Sequence, residues 1–303
     1  MELLSDCPVH TSVPDKYVLA LEKRPSLLDD EPSSDVAVPV INLHRAAVSD
    51  DCRRHLVVNH GVTGDVVHGF LEAAAGFFTM PAEDKLPYRS DDLSKHFRVS
   101  SSTPYDRDGD RYWLDYLKIN CHPVTDEHVR EWPEKPGSFR SALAEYSTAV
   151  HEVAQTLLRL IAEGLGLDGG FFVGDLSSGS TQMNVNYYLP PDPSLALGLL
   201  PHCHRHLLTV LSQGDVAGLQ ARQGGWWLLV HLIPGAFVVN LGHQMEIITN
   251  GLLASVEHRA VTNTDTVRLL VVTLIMPKME CRIGPAPEMV HERGDGTREV
   301  QGV

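Results

Sequence analysis

The sequence has few cysteines, and their arrangement excludes one class of protein. Among 303 residues there are only five cysteines, widely scattered and without a Cys-x-x-Cys pair. The disulfide framework of a secreted domain is normally dense and even in number. We therefore expect a reducing compartment, and the cytoplasm is the predicted location.

Basic patches and long apolar runs are also missing. Lys and Arg number 25 against 39 Asp and Glu, which gives a net charge of −14. Nucleic acids and anionic membranes are bound by dense basic patches. The longest apolar stretch, 269–276, is far short of a bilayer span, and the N-terminus lacks the pattern of a signal peptide. We expect a soluble protein with no nucleic-acid or membrane partner.

Two segments of the first half show helical periodicity. Residues 64–78 and 137–165 each repeat apolar side chains at steps of three and four, and Pro or Gly follows each segment. Residues 1–38, rich in Pro, Asp and Ser, predict an irregular arm. Residues 79–136 predict a long excursion with one strand near 112–119.

From about residue 180 the pattern changes to short β-type runs separated by Gly, Pro or Asn. Many short strands at near-regular spacing predict a sandwich or jelly roll. We expect one structural unit of mixed α and β, with an N-terminal region (1–135), a support helix (136–180) and a jelly-roll core (181–290). The predicted strands are 181–188, 206–212, 216–222, 226–230, 236–240, 245–249 and 268–276.

The chain contains sixteen histidines, and the densest group is HCHRH at 202–206. Histidine is the commonest metal ligand. On an extended strand, side chains two apart share a face, so His202, His204 and His206 can all point one way. Two imidazoles at that spacing can hold one metal ion. His258, 56 residues further along, is the candidate third ligand.

Arg268 follows His258 by ten residues and opens an apolar strand. A guanidinium there can bind a dianionic co-substrate beside the metal through a bidentate contact.

These residues resemble the signature of the plant iron(II)/2-oxoglutarate-dependent dioxygenases, which is His-x-Asp, a later His, and Arg-x-Ser beyond it. The resemblance covers nearly the whole chain and is greatest to the branch of mugineic-acid and hyoscyamine dioxygenases. The segments that carry it are 13–17 (VPDKY), 38–43 (VPVINL), 58–62 (VNHGV), 186–188 (NYY), 234–240 (PGAFVVN), 250–251 (NG) and 257–260 (EHRA).

The resemblance implies a double-stranded β-helix (jelly roll) core with a mainly helical N-terminal half packed on it. It also implies an enzyme that hydroxylates or desaturates a small plant metabolite while 2-oxoglutarate is decarboxylated to succinate. By position, His202 and His258 match the histidine ligands of Fe(II), and Arg268 matches the arginine that binds the far carboxylate of 2-oxoglutarate. Asn186 and Tyr188 match positions that touch the same co-substrate. Dioxygen, and ascorbate as an auxiliary, are the other expected small molecules.

The sequence departs from the family pattern at several places, two of which bear directly on the metal and the co-substrate. His204 stands where the family has the Asp ligand, and a neutral imidazole leaves one more unit of positive charge at the metal. Three His ligands can still bind iron, zinc, copper or nickel, so His204 either ligates or swings away and leaves a two-His site with water. Leu270 stands where the family has Ser, which removes a hydroxyl donor worth ~1.5–3 kcal/mol when it binds a charged group.

Three functions therefore stay open from the sequence. The first is an active 2-oxoglutarate dioxygenase. The second is a catalytically silent relative that keeps the fold and metal binding. The third is a three-His site that uses oxygen without 2-oxoglutarate.

The other His and Cys residues near these motifs are not predicted to bind the metal. His206 is predicted to be an ordinary strand residue, His60 to be structural, and Cys203 to face away from the metal. The substrate-specific surface is expected around 97–119, and a monomer is expected because no surplus amphipathic helix stands out.

Overall fold

The computed structural model describes residues 2–7, 10, 12–24, 39–43, 54–92, 94–102, 111–190 and 194–291. Much of the predicted N-terminal arm, at 25–38, lies outside these residues. The helices are α1 (Gly64–Phe78), α2 (Ala82–Lys85), α3 (Asp126–Glu131), α4 (Phe139–Gly164), α5 (His243–Ile248) and α6 (Pro287–His291). The strands are β1 (Val40–Asn42), β2 (Arg54–Val58), β3 (Phe97–Ser101), β4 (Asp115–His122), β5 (Thr181–Tyr188), β6 (Leu199–His202), β7 (Leu208–Ser212), β8 (Leu219–Gln223), β9 (Trp226–Leu229), β10 (Phe237–Leu241), β11 (His258–Ala260) and β12 (Arg268–Ile275).

Eight of these strands form the larger sheet, in the order β1-β2-β10-β7-β12-β5-β4-β3. Its neighbouring strands run antiparallel, except that β1 and β2 are parallel. Burial alternates along β4, where Leu117 and Ile119 are fully buried and Tyr116 and Lys118 are half-buried. This period of two places one face against the helices and turns the other towards the second sheet.

The smaller sheet has four strands, in the order β6-β11-β8-β9. Apolar side chains from both sheets meet in one buried cluster, in which Leu270 and Val272 of β12 join Leu219, Ala221 and Ala260. Two packed antiparallel sheets of this kind confirm the predicted jelly roll.

Helices α1 and α4 cover the outer face of the larger sheet. The apolar stripe of α4 includes Leu143, Tyr146, Val150 and Leu157, which are buried in the main hydrophobic core. Burying each such side chain stabilises the fold by roughly 1.5–3 kcal/mol. Both helices agree with the sequence prediction to within two residues at each end. No helix in the described part of the chain is both long and apolar enough to span a membrane.

The segment predicted as a strand at 245–249 is instead helix α5. The run Ile247-Ile248-Thr249 favours a strand by its β-branched side chains. In the structure Met245 and Ile248, three residues apart, are both buried, which is the spacing of one helix face. Tertiary burial therefore overrides the local propensity.

Among the strands absent from the sequence prediction are three short ones, β3, β6 and β11. They have only five, four and three residues, and their apolar alternation is interrupted by polar side chains such as Arg98, Ser100 and His202. The prediction of a single strand in 79–136 was therefore wrong, because β3 pairs with β4 there.

Candidate active site

Three imidazole rings converge between the two sheets. His202 ends β6 and lies directly opposite His258 of β11 in the antiparallel register. His204 lies in the segment that follows β6. One ring nitrogen from each of the three lies within 4.8 Å of the others, and the Nε2 atoms of His204 and His258 are 3.1 Å apart.

The route by which His204 reaches the cluster differs from the sequence argument. Residues 203–207 are not a strand, because the chain leaves the smaller sheet at His202 and joins the larger sheet at Leu208. The argument that residues two apart share one face of a strand was therefore wrong, although His202 and His204 do meet. His206, placed on the same face by that argument, is not in the cluster, and neither is Cys203.

The crossing segment is held by the start of α5. The His243 N–H donates to the His204 carbonyl at 2.8 Å, and the Gly242 N–H donates to the Leu207 carbonyl at 3.2 Å. Gly242 packs so closely on the His206 carbonyl that a Cβ atom has no room. These contacts position the backbone of His204.

Backbone carbonyls fix the tautomer of two of the rings. His202 Nδ1 lies 2.8 Å from the Leu200 carbonyl, and His258 Nδ1 lies 3.0 Å from the Val256 carbonyl. Because a carbonyl can only accept, each Nδ1 carries the proton in the neutral ring, and each Nε2 carries a lone pair. Metal-ligating histidines are oriented in this way.

His204 has a different partner. Its Nδ1 lies 2.6 Å from the Oγ1 of Thr209, a fully buried residue of β7. A hydroxyl can donate or accept, so Thr209 supports either tautomer of His204. With the proton on Nε2, the ring donates to His258 Nε2. With the proton on Nδ1, it offers Nε2 as a third metal donor.

The donor set fits a divalent transition metal. Two ligands at right angles on a metal with bonds of about 2.1 Å are about 3.0 Å apart. The separation of 3.1 Å between His204 Nε2 and His258 Nε2 matches that edge. Imidazole donors suit iron, zinc, copper and nickel, so His202, His204 and His258 could hold an Fe(II) ion.

A buried arginine lies at the end of the same inner surface. Arg268 has no exposed area, and its Nε donates to the Val216 carbonyl at 3.0 Å. Its Nη1 and Nη2 are buried and have no hydrogen-bond partner among the described residues. Burial lowers the pKa of this guanidinium, while the nearby Tyr188 hydroxyl acts to raise it. Two orphaned donors on one guanidinium are rare in a folded protein and match the two oxygens of a carboxylate.

Side chains of β5 complete this pocket. Tyr188 pairs with Arg268 in the strand register, and its ring centre lies 5.3 Å from the guanidinium carbon. Asn186 Nδ2 donates to the Tyr188 hydroxyl at 3.1 Å. Leu270 pairs with Asn186, so the position of the family's serine presents an apolar side chain.

Glycine is required where the backbone approaches these residues. A Cβ on Gly218 would lie 2.7 Å from the Val261 carbonyl and 3.1 Å from Arg268 Nε, and one on Gly198 would lie 2.5 Å from the Tyr188 ring. The close packing holds Arg268 and Tyr188 in place, and the residues present fit a dicarboxylate such as 2-oxoglutarate.

Comparison with known proteins decides the family. Residues 180–277 match the 2OG-Fe(II) oxygenase superfamily, and residues 38–135 match the family described as non-haem dioxygenase in morphine synthesis N-terminal. A 2'-deoxymugineic-acid 2'-dioxygenase of Hordeum vulgare is 39% identical over 300 residues, which cover 95% of this chain and 87% of the relative. The chain belongs to the 2OG-Fe(II) oxygenase superfamily.

Other members of the superfamily agree. A hyoscyamine 6-dioxygenase of Hyoscyamus niger is 34% identical over 302 residues, covering 93% of this chain and 86% of the relative. A crystal structure of JOX2 in complex with 2OG, Fe and JA superposes with a TM-score of 0.82 at 29% identity, covering 94% of this chain and 85% of that one. These relatives confirm the predicted dioxygenase class, its jelly-roll fold, and Fe(II) and 2-oxoglutarate as the cofactors of the class.

The sequence reasoning missed one residue beside the histidine cluster. Thr209 sits in an apolar run, LLTVL at 207–211, where it looks like an ordinary strand residue. The signal was its spacing of two from Leu211, which places both side chains on the same face of the strand. In the structure Leu211 pairs with Val272 and Thr209 with Leu274, on the inner face that carries the site.

Proposed function

We propose that this superfamily member binds Fe(II) through His202, His204 and His258 and 2-oxoglutarate through Arg268, and oxidises a small plant metabolite. The observation that carries the proposal is the meeting of three imidazole donors on the same inner surface as a buried arginine, whose Nη1 and Nη2 have no hydrogen-bond partner among the described residues. When bound, iron and 2-oxoglutarate supply the oxidising power derived from dioxygen, with succinate and carbon dioxide as by-products.

The protein's part in the metal site is to present lone pairs without reorganisation. The carbonyls of Leu200 and Val256 hold His202 and His258 with Nε2 directed at the cluster. Thr209 holds His204 by its Nδ1. Fixed outer partners of this kind are typically worth a factor of about 10–100 in metal affinity.

The protein's part in co-substrate binding is to bury one carboxylate against Arg268. The guanidinium supplies two parallel donors, and Tyr188, ordered by Asn186, supplies a hydroxyl in the same pocket. Leu270 and Val272 form an apolar wall that excludes water, which strengthens a charged contact. We assign Arg268, Tyr188 and Asn186 to 2-oxoglutarate on this basis.

A second candidate function is favoured by a specific observation. His204 makes the donor set neutral where the family has a carboxylate, and Leu270 removes a hydroxyl from the co-substrate pocket. Both changes keep a place for metal and weaken oxidation, as expected of a silent relative that binds metal without turnover.

The substrate and setting follow from the relatives and the composition. The relatives compared above are named for deoxymugineic acid and hyoscyamine, which supports a small metabolite as substrate. The net charge of −14 disfavours nucleic acid. We propose a monomer in the cytoplasm, consistent with the scattered cysteines.

A single assay separates the candidates. The protein is purified anaerobically, loaded with Fe(II), and given 2-oxoglutarate and dioxygen, and succinate is measured against a metal-free control. Succinate formation supports the dioxygenase. No succinate from the wild type, but succinate from His204→Asp, supports the silent relative. Oxygen uptake without 2-oxoglutarate supports the three-His alternative.

A further inference from the structure

Two basic side chains face each other on the edge of the larger sheet. Arg98 of β3 and Lys118 of β4 are direct partners in the antiparallel register, and Asn184 of β5 is the next residue along the same row. Like charges directly opposite each other destabilise a sheet. Such a pair needs a reason beyond folding.

The pair has unmatched hydrogen-bonding capacity. Arg98 is only 4% exposed, and its buried Nε has no partner among the described residues. Its Nη1 makes one long bond to the Tyr116 hydroxyl, at 3.4 Å.

No carboxylate of the described residues forms an ion pair with Arg98 or Lys118. Asp92, which lies close enough to feel the charge of Arg98, is bound by Ser94 instead. Burial lowers the pKa of Lys118, and the charge of Arg98 lowers it further. Two cations therefore share a partly buried surface, and neither has an ion-pair partner among the described residues.

This surface adjoins the active site. Tyr116, beside Lys118 on β4, pairs with Asn186 of the co-substrate pocket. The row of the basic pair crosses β12 at Val272, which lies between Arg268 and Leu274, the partner of Thr209.

We propose that Arg98 and Lys118 form an anion-binding subsite for the substrate, and that the substrate is a small molecule bearing a carboxylate. A carboxylate there would accept hydrogen bonds from Arg98 and Lys118 and cancel their repulsion. Arg268 has its own pocket for 2-oxoglutarate, so the second basic group is suited to a different molecule. The inference rests on the proposed function for the statement that this molecule is the substrate.

Binding is tested on metal-free protein without 2-oxoglutarate, so that neither cofactor can hold the probe. The probes are acetate, benzoate, cinnamate and indole-3-acetate, each compared with its neutral carboxamide by calorimetry in a buffer without carboxylates. The variants are Arg98→Gln and the half-buried Lys118→Gln, with exposed Arg159→Gln on α4 as the matched control. Every titration is repeated in an Arg268→Met background, which removes binding at the 2-oxoglutarate pocket.

At least one acid is expected to bind more tightly than its amide in the Arg268→Met background. Arg98→Gln and Lys118→Gln should each weaken that acid about tenfold or more, since each removes a charge-assisted contact. The amide and the Arg159→Gln control should not change. If Arg98 had a merely structural role, Arg98→Gln would weaken the binding of acid and amide alike. Should Arg98→Gln, at a buried position, fail to fold, the half-buried Lys118→Gln still tests the subsite.

Equal binding of acid and amide, no binding by any probe, or loss of acid binding with Arg268→Met alone would each overturn the inference. None of these results depends on turnover. The subsite can therefore fail in a protein that makes succinate, and it can be present in one that does not.

Discussion

Replacing Arg268 by methionine should move fold stability and co-substrate affinity in opposite directions. Arg268 is fully buried, and its Nη1 and Nη2 lack partners in the described chain. A buried unsatisfied polar group costs ~1–3 kcal/mol, and more when it is charged. Arg268→Met removes two such groups and their charge from the protein without ligand.

Two favourable contacts are lost with them. The hydrogen bond from Nε to the Val216 carbonyl, at 3.0 Å, contributes about 1 kcal/mol. The contact with the Tyr188 ring, at 5.3 Å, contributes ~0.5–2 kcal/mol. The balance favours the variant by roughly 1–3 kcal/mol, and each kcal/mol raises Tm by about 2 °C in a chain of this length.

Affinity should change the other way. A bidentate contact between guanidinium and carboxylate makes two charge-assisted hydrogen bonds, each worth ~1.5–3 kcal/mol. Losing both weakens 2-oxoglutarate binding by about two to four orders of magnitude. The wild type should gain thermal stability on addition of 2-oxoglutarate with Fe(II) under anaerobic conditions, and the variant should not.

The assay is thermal unfolding with and without 2-oxoglutarate, together with calorimetric titration. Arg159→Met, on the exposed face of α4, is the matched control and should alter neither quantity. A variant that unfolds at lower temperature yet binds 2-oxoglutarate as before would refute the reasoning, because Arg268 would then be a core residue and not the anchor.

Three further predictions follow from the histidines. His204→Asp adds an anionic ligand and should raise both iron retention and succinate formation. Iron retention is measured by metal analysis after dialysis, and a fall in both quantities would contradict the assignment of His204. Thr209→Val removes the hydroxyl that lies 2.6 Å from His204 Nδ1 and should lower iron affinity about 10–100-fold in a chelator competition, whereas unchanged affinity would show that Thr209 has no part in the site. Burial, reinforced by His122, lowers the pKa of His151 to about 4 from its ordinary 6.5. Between these two pH values the unfolded chain binds more protons than the folded one. The contribution of His151 to the free energy of unfolding is therefore fully present above pH 6.5 and is lost towards pH 4, by up to ~1.4 kcal/mol per pH unit. Urea unfolding over that range should show the slope, and His151→Gln should reduce it.

The proposed donor set of three histidines is neutral, and this is the main chemical departure from the family pattern. A carboxylate ligand would bring one negative charge to the metal, whereas His204 brings none. Thr209 lets His204 hold its proton on either nitrogen, so the site can rest without metal by donating from His204 to His258. An aspartate at this position would instead place a negative charge in a partly buried pocket whenever metal is absent, which is costly.

Much of the fold could be predicted from local patterns. The three- and four-residue apolar spacing of 64–78 and 137–165 sufficed for α1 and α4. The alternation of polar and apolar side chains sufficed for β5, and the apolar run at 269–276 sufficed for β12. Such patterns work because they record which face of an element is buried. The short strands β3, β6 and β11 carried too few residues for a pattern. The division into regions at 1–135, 136–180 and 181–290 stays a prediction.

By itself the sequence determined the family, the jelly roll, and the candidates His202, His258 and Arg268, because motifs and periodicity are local and survive in a linear reading. Only the tertiary structure decided how His204 reaches the cluster, since that depends on a crossing between two sheets. It alone placed Thr209 behind His204 and set Arg98 against Lys118. The physical reason is strand register: which polar groups face one another is decided by pairing between segments far apart in the chain.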